Sequence, residues 1–144
     1  SAVDVIKPHQ QIHNRCLSGT GITVDGATIR ITGGGDFTVT GTLSDGNITI
    51  SAKEKVKIRL SGAKITSSEN PCIFVEDADK AYITLTDGTE NHLIAKNSDD
   101  GAIYSKENLE IKGGGSLDIE SLAGHGIKAS DNLNIENGII TISR

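Results

Sequence analysis

The sequence is poor in aromatic residues, with two Phe, two Tyr and no Trp among 144 residues. A core therefore has to be aliphatic, built from Ile, Leu and Val. Proline is also scarce, with two residues against 17 Gly. A chain rich in Gly but not in Pro is expected to make many tight turns, and it does not have the composition of a disordered Pro/Gly linker.

Positive charge is scarce as well. Fourteen Lys and Arg stand against 19 Asp and Glu, which gives a net charge of −5. Nucleic-acid phosphates require a basic surface, so nucleic acid is not an expected partner, whereas a cation or neutral sugars are compatible with this charge. No apolar run approaches the roughly 20 residues of a membrane span. No signal peptide is visible, although a mature chain would lack one.

Cysteine is limited to Cys16 and Cys72. Neither lies in a CxxC pattern or at a Cys/His spacing typical of zinc sites. Two alternatives remain: a disulfide, as in many secreted proteins, or two free thiols.

An internal repeat is the main pattern that is present. Each unit has an Ile in a short strand, followed by two further short strands with alternating apolar residues and flanking Gly, Asn, Asp or Ser. The spacings between successive anchors are 26, 25, 30 and 24 residues. The anchors are Ile22, Ile48, Ile73, Ile103 and Ile127. In the first unit, Ile22, Ile29 and Phe37 are assigned to the first, second and third strands.

This repeat predicts an all-β fold, a right-handed parallel β-helix (solenoid) of about five coils with three short strands each. A sandwich would need longer strands with hairpin turns, and a leucine-rich solenoid would have a helical half. Residues 1–20 do not fit the repeat and are expected to form an N-terminal cap, with the β-helix domain at 21–144. Because the chain stops inside the strand IITIS, we expect truncation at the C-terminal end, or an end covered by a neighbouring molecule through self-association.

Outward residues of the stacked first strands form columns along the solenoid. One column predicted in this way is Thr23, Thr49, Phe74, Tyr104 and Lys128. It brings Phe74 and Tyr104 side by side, with Glu76, Lys106 and Lys128 flanking them. Aromatic faces stack on sugar rings and charged neighbours bind hydroxyls or carboxylates, so these five residues are the predicted carbohydrate-binding site. The alternative is a cross-strand aromatic pair that only stabilises the sheet.

Acidic residues follow or precede the first strand of several coils. Asp99 and Asp100 lie in the longest insertion, and Glu107 and Asp131 lie in turns after the first strand. Hard cations bind several oxygen ligands, so these four are the predicted calcium ligands, with a solvated acidic ridge as the alternative. No GxSxG, HExxH or P-loop motif is present, and no catalytic residue is assigned.

Several phrases of the sequence resemble a known family. These are GTLSDGNITISA, DADKAYITLTDGTENHLI, DGAIYSKENLEIKGGGSLDI and HGIKASDNLNI. They are similar to the secreted bacterial carbohydrate-binding β-helix proteins of cellulolytic clostridia, and the similarity covers roughly residues 19–144. The resemblance implies a pectate-lyase-like fold, an association with Ca²⁺, binding of plant-type polysaccharides such as cellulose or polygalacturonate, and a secreted or cell-surface location.

Three functions are consistent with these observations. The first is a non-catalytic, calcium-assisted polysaccharide-binding module for plant-type or acidic glycans. The second is a pectate-lyase-like enzyme in which Ca²⁺ neutralises a uronate and a basic side chain, for which Lys106 is the candidate, takes a proton. The third is a structural or adhesive cell-surface solenoid without a small ligand.

Overall fold

The structure is a computed structural model that describes residues 2–7, 10–12, 22–25 and 28–143, with the backbone alone described in the first three ranges. All regular structure in these residues is β-strand, and the described part contains no helix, which confirms the all-β class. The strands are β1 (Ala2–Lys7), β2 (Gln10–Ile12), β3 (Ile22–Asp25), β4 (Thr28–Ile31), β5 (Gly35–Leu43), β6 (Asn47–Ser51), β7 (Lys55–Ser67), β8 (Ile73–Asp77), β9 (Lys80–Leu85), β10 (Glu90–Ala95), β11 (Ile103–Ser105), β12 (Leu109–Gly113), β13 (Ser116–Ser121), β14 (Ile127–Ala129), β15 (Leu133–Glu136) and β16 (Ile139–Ser143).

The strands build three faces of a parallel β-solenoid. The first face stacks β4, β6, β8, β11 and β14. The second face stacks β5, the first part of β7, and then β9, β12 and β15. The third face continues from the last part of β7 through β10, β13 and β16. The chain winds through about four turns in this way, and the predicted parallel β-helix is confirmed.

The first coil differs from the prediction. The strand that contains Ile22 is β3, which pairs antiparallel with β4 and does not extend the parallel stack. Instead β4 stacks on β6, with Ile29 opposite Ile48. Only two residues separate β3 from β4, and so short a loop can join antiparallel strands, whereas parallel strands need a longer crossover. The later strands of this coil are displaced accordingly: Phe37 lies opposite Ile58 on the second face, not the third.

The N-terminal strand β1 pairs antiparallel with β5, with Val5 opposite Val39, and also with β2. The other edge of β5 is bound to β7, so β1 occupies the edge that faces away from the stack. Pairing at that edge satisfies backbone groups that an open edge strand would leave exposed. The predicted boundary between a cap at 1–20 and the solenoid at 21–144 stays a prediction.

Aliphatic side chains from all three faces fill the interior. In β6 and β9, for example, Ile48, Ile50, Ile83 and Leu85 are buried, as the alternation predicted. Phe37 is the one aromatic side chain among the buried residues that the structure describes. The core is therefore a set of stacked aliphatic layers, and this stacking fixes which residues point outward on every face.

The last described coil leaves apolar side chains open to solvent. Leu133 and Ile135 stack in register on Leu109 and Ile111, yet they are 40% and 47% exposed because no described strand lies beyond β15. Ile142 on the third face is 53% exposed for the same reason. Self-association through this end stays a prediction.

Cys72 is a free, fully buried thiol, and Cys16 lies outside the described residues. The Cys72 Sγ lies 3.2 Å from the backbone oxygen of Ile94, to which it donates a hydrogen bond. Burial raises the pKa of the Cys72 thiol to about 12. Since the thiolate is the reactive form, this thiol is inert in the folded protein at neutral pH.

We expect iodoacetamide at neutral pH to leave Cys72 unmodified in the native protein and to alkylate it once urea unfolds the chain. Burial excludes the reagent, and the raised pKa keeps the thiol protonated. Peptide mass spectrometry of a digest measures this labelling and reads Cys16 separately. Rapid alkylation of Cys72 in the native protein would contradict the prediction.

Candidate functional site

One outward column of the first face carries two aromatic rings. Each member lies opposite the next in the parallel register of β4, β6, β8, β11 and β14. The column runs Arg30, Thr49, Phe74, Tyr104 and Lys128. Arg30 takes the place that the sequence predicted for Thr23, because β4 and not β3 stacks on β6.

Phe74 and Tyr104 stand side by side, as predicted. Their ring centroids are 5.4 Å apart and their planes differ by 15°. This separation is close to the spacing of about 4.8 Å between neighbouring strands, so the rings stack along the solenoid axis. Each ring therefore covers one face of the other, and the pair does not offer two ring faces as one flat surface.

Two lysines lie near the rings. The Nζ of Lys128 is 5.1 Å from the Tyr104 centroid, and the Nζ of Lys106 is 5.6 Å from the Phe74 centroid. Both distances fall within the range of cation–π attraction. Lys128 also lies 3.3 Å from Asp100 Oδ1, to which it donates a hydrogen bond. The Tyr104 end of the stack is thus covered by the protein's own side chains.

A groove with a volume of about 280 Å³ lies beside Phe74. Thr28, Asn47 and Thr49 line it together with Arg30 and Phe74. Thr28 Oγ1 donates to Asn47 Oδ1 at 2.8 Å, and Asn47 Nδ2 donates to Thr49 Oγ1 at 3.3 Å. Although they point outward, Asn47 and Thr49 are only 5% and 6% exposed. The groove therefore has a polar floor that internal hydrogen bonds hold in place.

The rest of the groove is lined by Asn70, Pro71, Glu76, Asp100 and Tyr104. A second groove of about 300 Å³ shares Thr28, Asn47 and Asn70 with the first and also includes Asp45 and Ser68. The two grooves therefore adjoin at these three residues. They follow β6 and the turn that precedes β8.

Of the five predicted binding residues, Phe74, Glu76 and Tyr104 line the groove. Lys106 and Lys128 lie over the rings and are not part of its lining. The sequence prediction missed Arg30, Asn47 and Asn70 and gave Thr49 no role. Thr49 has a small side chain between its larger neighbours Arg30 and Phe74. With the first coil in its correct alignment, this difference in size indicates a groove.

The two described arginines of the outer surface differ in their surroundings. Arg59 binds Asp36 in a bidentate ion pair, with its Nε and Nη2 each 2.9 Å from a carboxylate oxygen, and this hydrogen bonding raises the pKa of Arg59. Arg30 forms no ion pair with any residue whose side chain the structure describes. Among the side chains that the structure describes, no acidic group is paired with its guanidinium donors.

The predicted calcium ligands are Asp99, Asp100, Glu107 and Asp131. Asp100 pairs with Lys128, and Asp131 accepts a hydrogen bond from the backbone N–H of Asn132 at 3.0 Å. Across residues 28–143 and the described strands before them, no three His, Cys, Asp or Glu side chains come together as a metal site. Since Ca²⁺ takes six to eight oxygen ligands, this donor set does not fit the ion, and the calcium site stays a prediction.

Other acidic side chains of the turns stabilise the stack. Glu54 accepts a hydrogen bond from the Gly34 N–H at 2.7 Å, and Asp87 accepts one from the Gly114 N–H at 2.8 Å. In each case a carboxylate satisfies a backbone donor of a neighbouring coil, which is a common use of Asp in turns. These two acidic residues of the turns therefore have a structural role.

The model of the family described as carbohydrate-binding domain-containing protein matches residues 25–144. This chain belongs to that family. A carbohydrate-binding domain-containing protein of Acetivibrio thermocellus is 31% identical over 134 aligned positions, which cover 85% of this chain and 47% of the relative. The family resemblance predicted from sequence is thereby confirmed.

The fold of this chain is similar to a solved structure. The polysaccharide lyase-like protein from C. thermocellum, solved as a gadolinium derivative, is 29% identical, with a TM-score of 0.81 over 87% of this chain and 55% of that one. The domain thus spans about half the length of the relatives it matches. Among its described residues, no helix is long and apolar enough to cross a membrane.

Proposed function

We propose that this carbohydrate-binding domain is a non-catalytic, extracellular module that binds plant-type or acidic polysaccharides on the first face, in the groove beside Phe74. The observation that carries the proposal is the stacked pair of Phe74 and Tyr104 next to a polar groove, in a chain of a carbohydrate-binding family. Aromatic rings pack against the C–H faces of sugars, and convergent polar groups bind their hydroxyls.

Each residue of the site has a distinct role in this proposal. Phe74 provides the ring against which the sugar packs, and Tyr104 holds that ring from behind. Glu76 is exposed at the groove and accepts hydrogen bonds from sugar hydroxyls. Lys106 supplies positive charge near the rings, which favours glycans that carry carboxylates, and Lys128, paired with Asp100, covers the Tyr104 ring.

A lyase activity is the second candidate, because the similar solved structure is called polysaccharide lyase-like. Elimination would need a base close to the sugar ring in the groove. Lys106, the candidate base, contacts the Phe74 ring and is not among the residues that line the groove. This placement supports binding without elimination.

The test compares the wild-type domain with the Phe74→Ala/Tyr104→Ala double variant in pull-down on insoluble cellulose and in electrophoresis through gels containing polygalacturonate. We expect the wild type to be retained by at least one polysaccharide and the double variant to bind roughly tenfold more weakly, since an aromatic contact contributes up to about 1.5 kcal/mol beyond its buried area. Tyr82→Ala on the second face is the matched control and should bind as the wild type does.

Two results would overturn the proposal. Unchanged binding by the double variant would remove the site, and failure of the wild type to bind any polysaccharide tested would remove the function. The same samples, incubated with polygalacturonate in the presence of Ca²⁺ or of EDTA, test the lyase alternative. Appearance of the unsaturated product by ultraviolet absorbance would establish elimination.

A further inference from the structure

We propose that one pyranose ring of the polysaccharide enters edge-on into a slot above Thr49, between Phe74 and Arg30, so that the glycan runs along β6 and not along the stack of coils. This inference rests on the proposed function and specifies the ligand's path through that same site. It also makes Arg30 a residue that binds the glycan.

The slot arises from the sizes of three side chains in register. Thr49 lies directly opposite Arg30 on one side and Phe74 on the other. With neighbouring strands about 4.8 Å apart, the backbones of Arg30 and Phe74 are roughly 9.6 Å apart. The short threonine cannot fill this space, which is why the groove opens at this coil.

One face of the Phe74 ring is directed into the slot. Tyr104 stacks on the opposite face, from the following coil. Lys106 belongs to the coil of Tyr104 and does not line the groove. A ring placed above Thr49 would therefore continue the existing stack as its third member.

The width of the slot favours a sugar over an aromatic ring. Carbon atoms in contact lie about 3.5–4.0 Å apart, so a flat aromatic ring touching both walls would need only roughly 7–8 Å. A puckered pyranose, with axial hydrogens or hydroxyls on both faces, is thicker and fills the larger spacing better. The polar floor formed by Asn47 and Thr49 suits the hydroxyls at the edge of such a ring.

Arg30 forms the opposite wall. Its guanidinium makes no ion pair with a described residue, and it carries five N–H donors in one plane. Those donors can bind the hydroxyls of a neutral sugar or the carboxylate of a uronate. The slot is therefore selective for a pyranose and can bind either a neutral sugar or a uronate.

The orientation of the ring sets the path of the glycan. A pyranose stacked on Phe74 has its mean plane perpendicular to the stack, and an extended 1,4-linked chain leaves the ring near that plane. The chain therefore continues along the strand direction. The groove extends in this direction from Glu76, near the end of β8, to Asn70 before the strand, and the second groove is lined by Ser68 further on.

Filling the slot is the first test. We expect Thr49→Phe to weaken binding of soluble polygalacturonate and of cello-oligosaccharides by roughly tenfold or more, measured by titration calorimetry. The melting temperature is measured in parallel, because Thr49 is only 6% exposed and the loss of binding counts for the slot where the variant stays folded. Thr141→Phe, which adds a ring on the third face, should bind as the wild type does. Arg30→Ala removes the other wall and should weaken binding about fivefold.

The path is tested by blocking each direction separately. Ser68→Trp obstructs the groove along β6, whereas Ser130→Trp obstructs the stack beyond Tyr104. A path along β6 predicts roughly tenfold weaker binding for Ser68→Trp and a change within about twofold for Ser130→Trp. The reverse result, or equal effects of the two, would overturn the path.

The outcomes separate this inference from the proposed function. If Thr49→Phe and Arg30→Ala bind normally while the Phe74→Ala/Tyr104→Ala variant has lost binding, the slot is wrong and the proposed function stands. If all three variants bind normally, both are wrong. If the wild type binds neither probe, the proposed function fails and the slot with it.

Discussion

Replacing Gly113 by alanine is expected to destabilise the protein by roughly 4 kcal/mol, the largest effect of any substitution considered. Gly113 ends β12 with a φ of 112°, in a region that L side chains rarely adopt. A Cβ at this position would lie 2.1 Å from the backbone oxygen of Leu85 in the preceding coil. Relief would require the coils to separate, because the obstacle is backbone and not a movable side chain. Equilibrium unfolding in urea, followed by circular dichroism, measures the loss.

Gly88→Ala is the matched control for this prediction. Gly88 also has a positive φ, 76°, but nothing lies within 4 Å of the position of an added Cβ. This variant meets only the conformational penalty, about 1–2 kcal/mol. Equal destabilisation by the two substitutions would contradict the prediction. It would show that the close approach of Gly113 to the backbone of Leu85 adds no cost in unfolding free energy to the substitution.

The fold was largely predictable from the sequence because every coil of a solenoid repeats the same pattern of apolar, polar and turn residues. The Ile anchors at 48, 73, 103 and 127 do lie in register on the first face. Each coil buries its aliphatic side chains against the next, so the same pattern recurs at a nearly constant interval. Alternation within each short strand then determines which side chains point outward.

The first coil could not be predicted from that pattern. Ile22 begins a strand with the correct alternation, and alternation alone does not distinguish parallel from antiparallel pairing. The two-residue connection between β3 and β4 was the available clue, since it favours a hairpin. With β3 treated as a parallel strand, Thr23 falls in the outward column and Arg30 falls outside the site.

The aromatic pair was predictable, but the groove was not. Register along the first face brings Phe74 beside Tyr104 in any correct alignment of β8 and β11. The groove depends on the small side chain of Thr49 between two larger neighbours. Motifs of chemically reactive residues do not indicate such a position. The predicted calcium ligands stay a prediction, and among the described residues their carboxylates do not form a group of three or more.

Replacing Asn91 by alanine is expected to cost roughly 3 kcal/mol of unfolding free energy, the second largest effect. Asn91 is fully buried. Its Oδ1 accepts hydrogen bonds from the backbone N–H groups of Gly62 and Ala63, both at 2.9 Å. Its Nδ2 donates to Thr89 Oγ1 at 3.2 Å and to the Ser116 carbonyl at 3.1 Å. One side chain therefore joins three successive coils.

The cost follows from the groups that alanine would leave without partners. Two backbone N–H groups and one carbonyl lose their partner, and each unsatisfied buried group costs about 1–3 kcal/mol unless water reaches it. Asn97→Ala, at an exposed position close by in the chain, is the control and should change stability by no more than about 0.5 kcal/mol in urea unfolding. A loss below about 1 kcal/mol for Asn91→Ala would mean that water replaces the amide between the coils. In that case the polar links, unlike the aliphatic layers, would not hold successive coils in register.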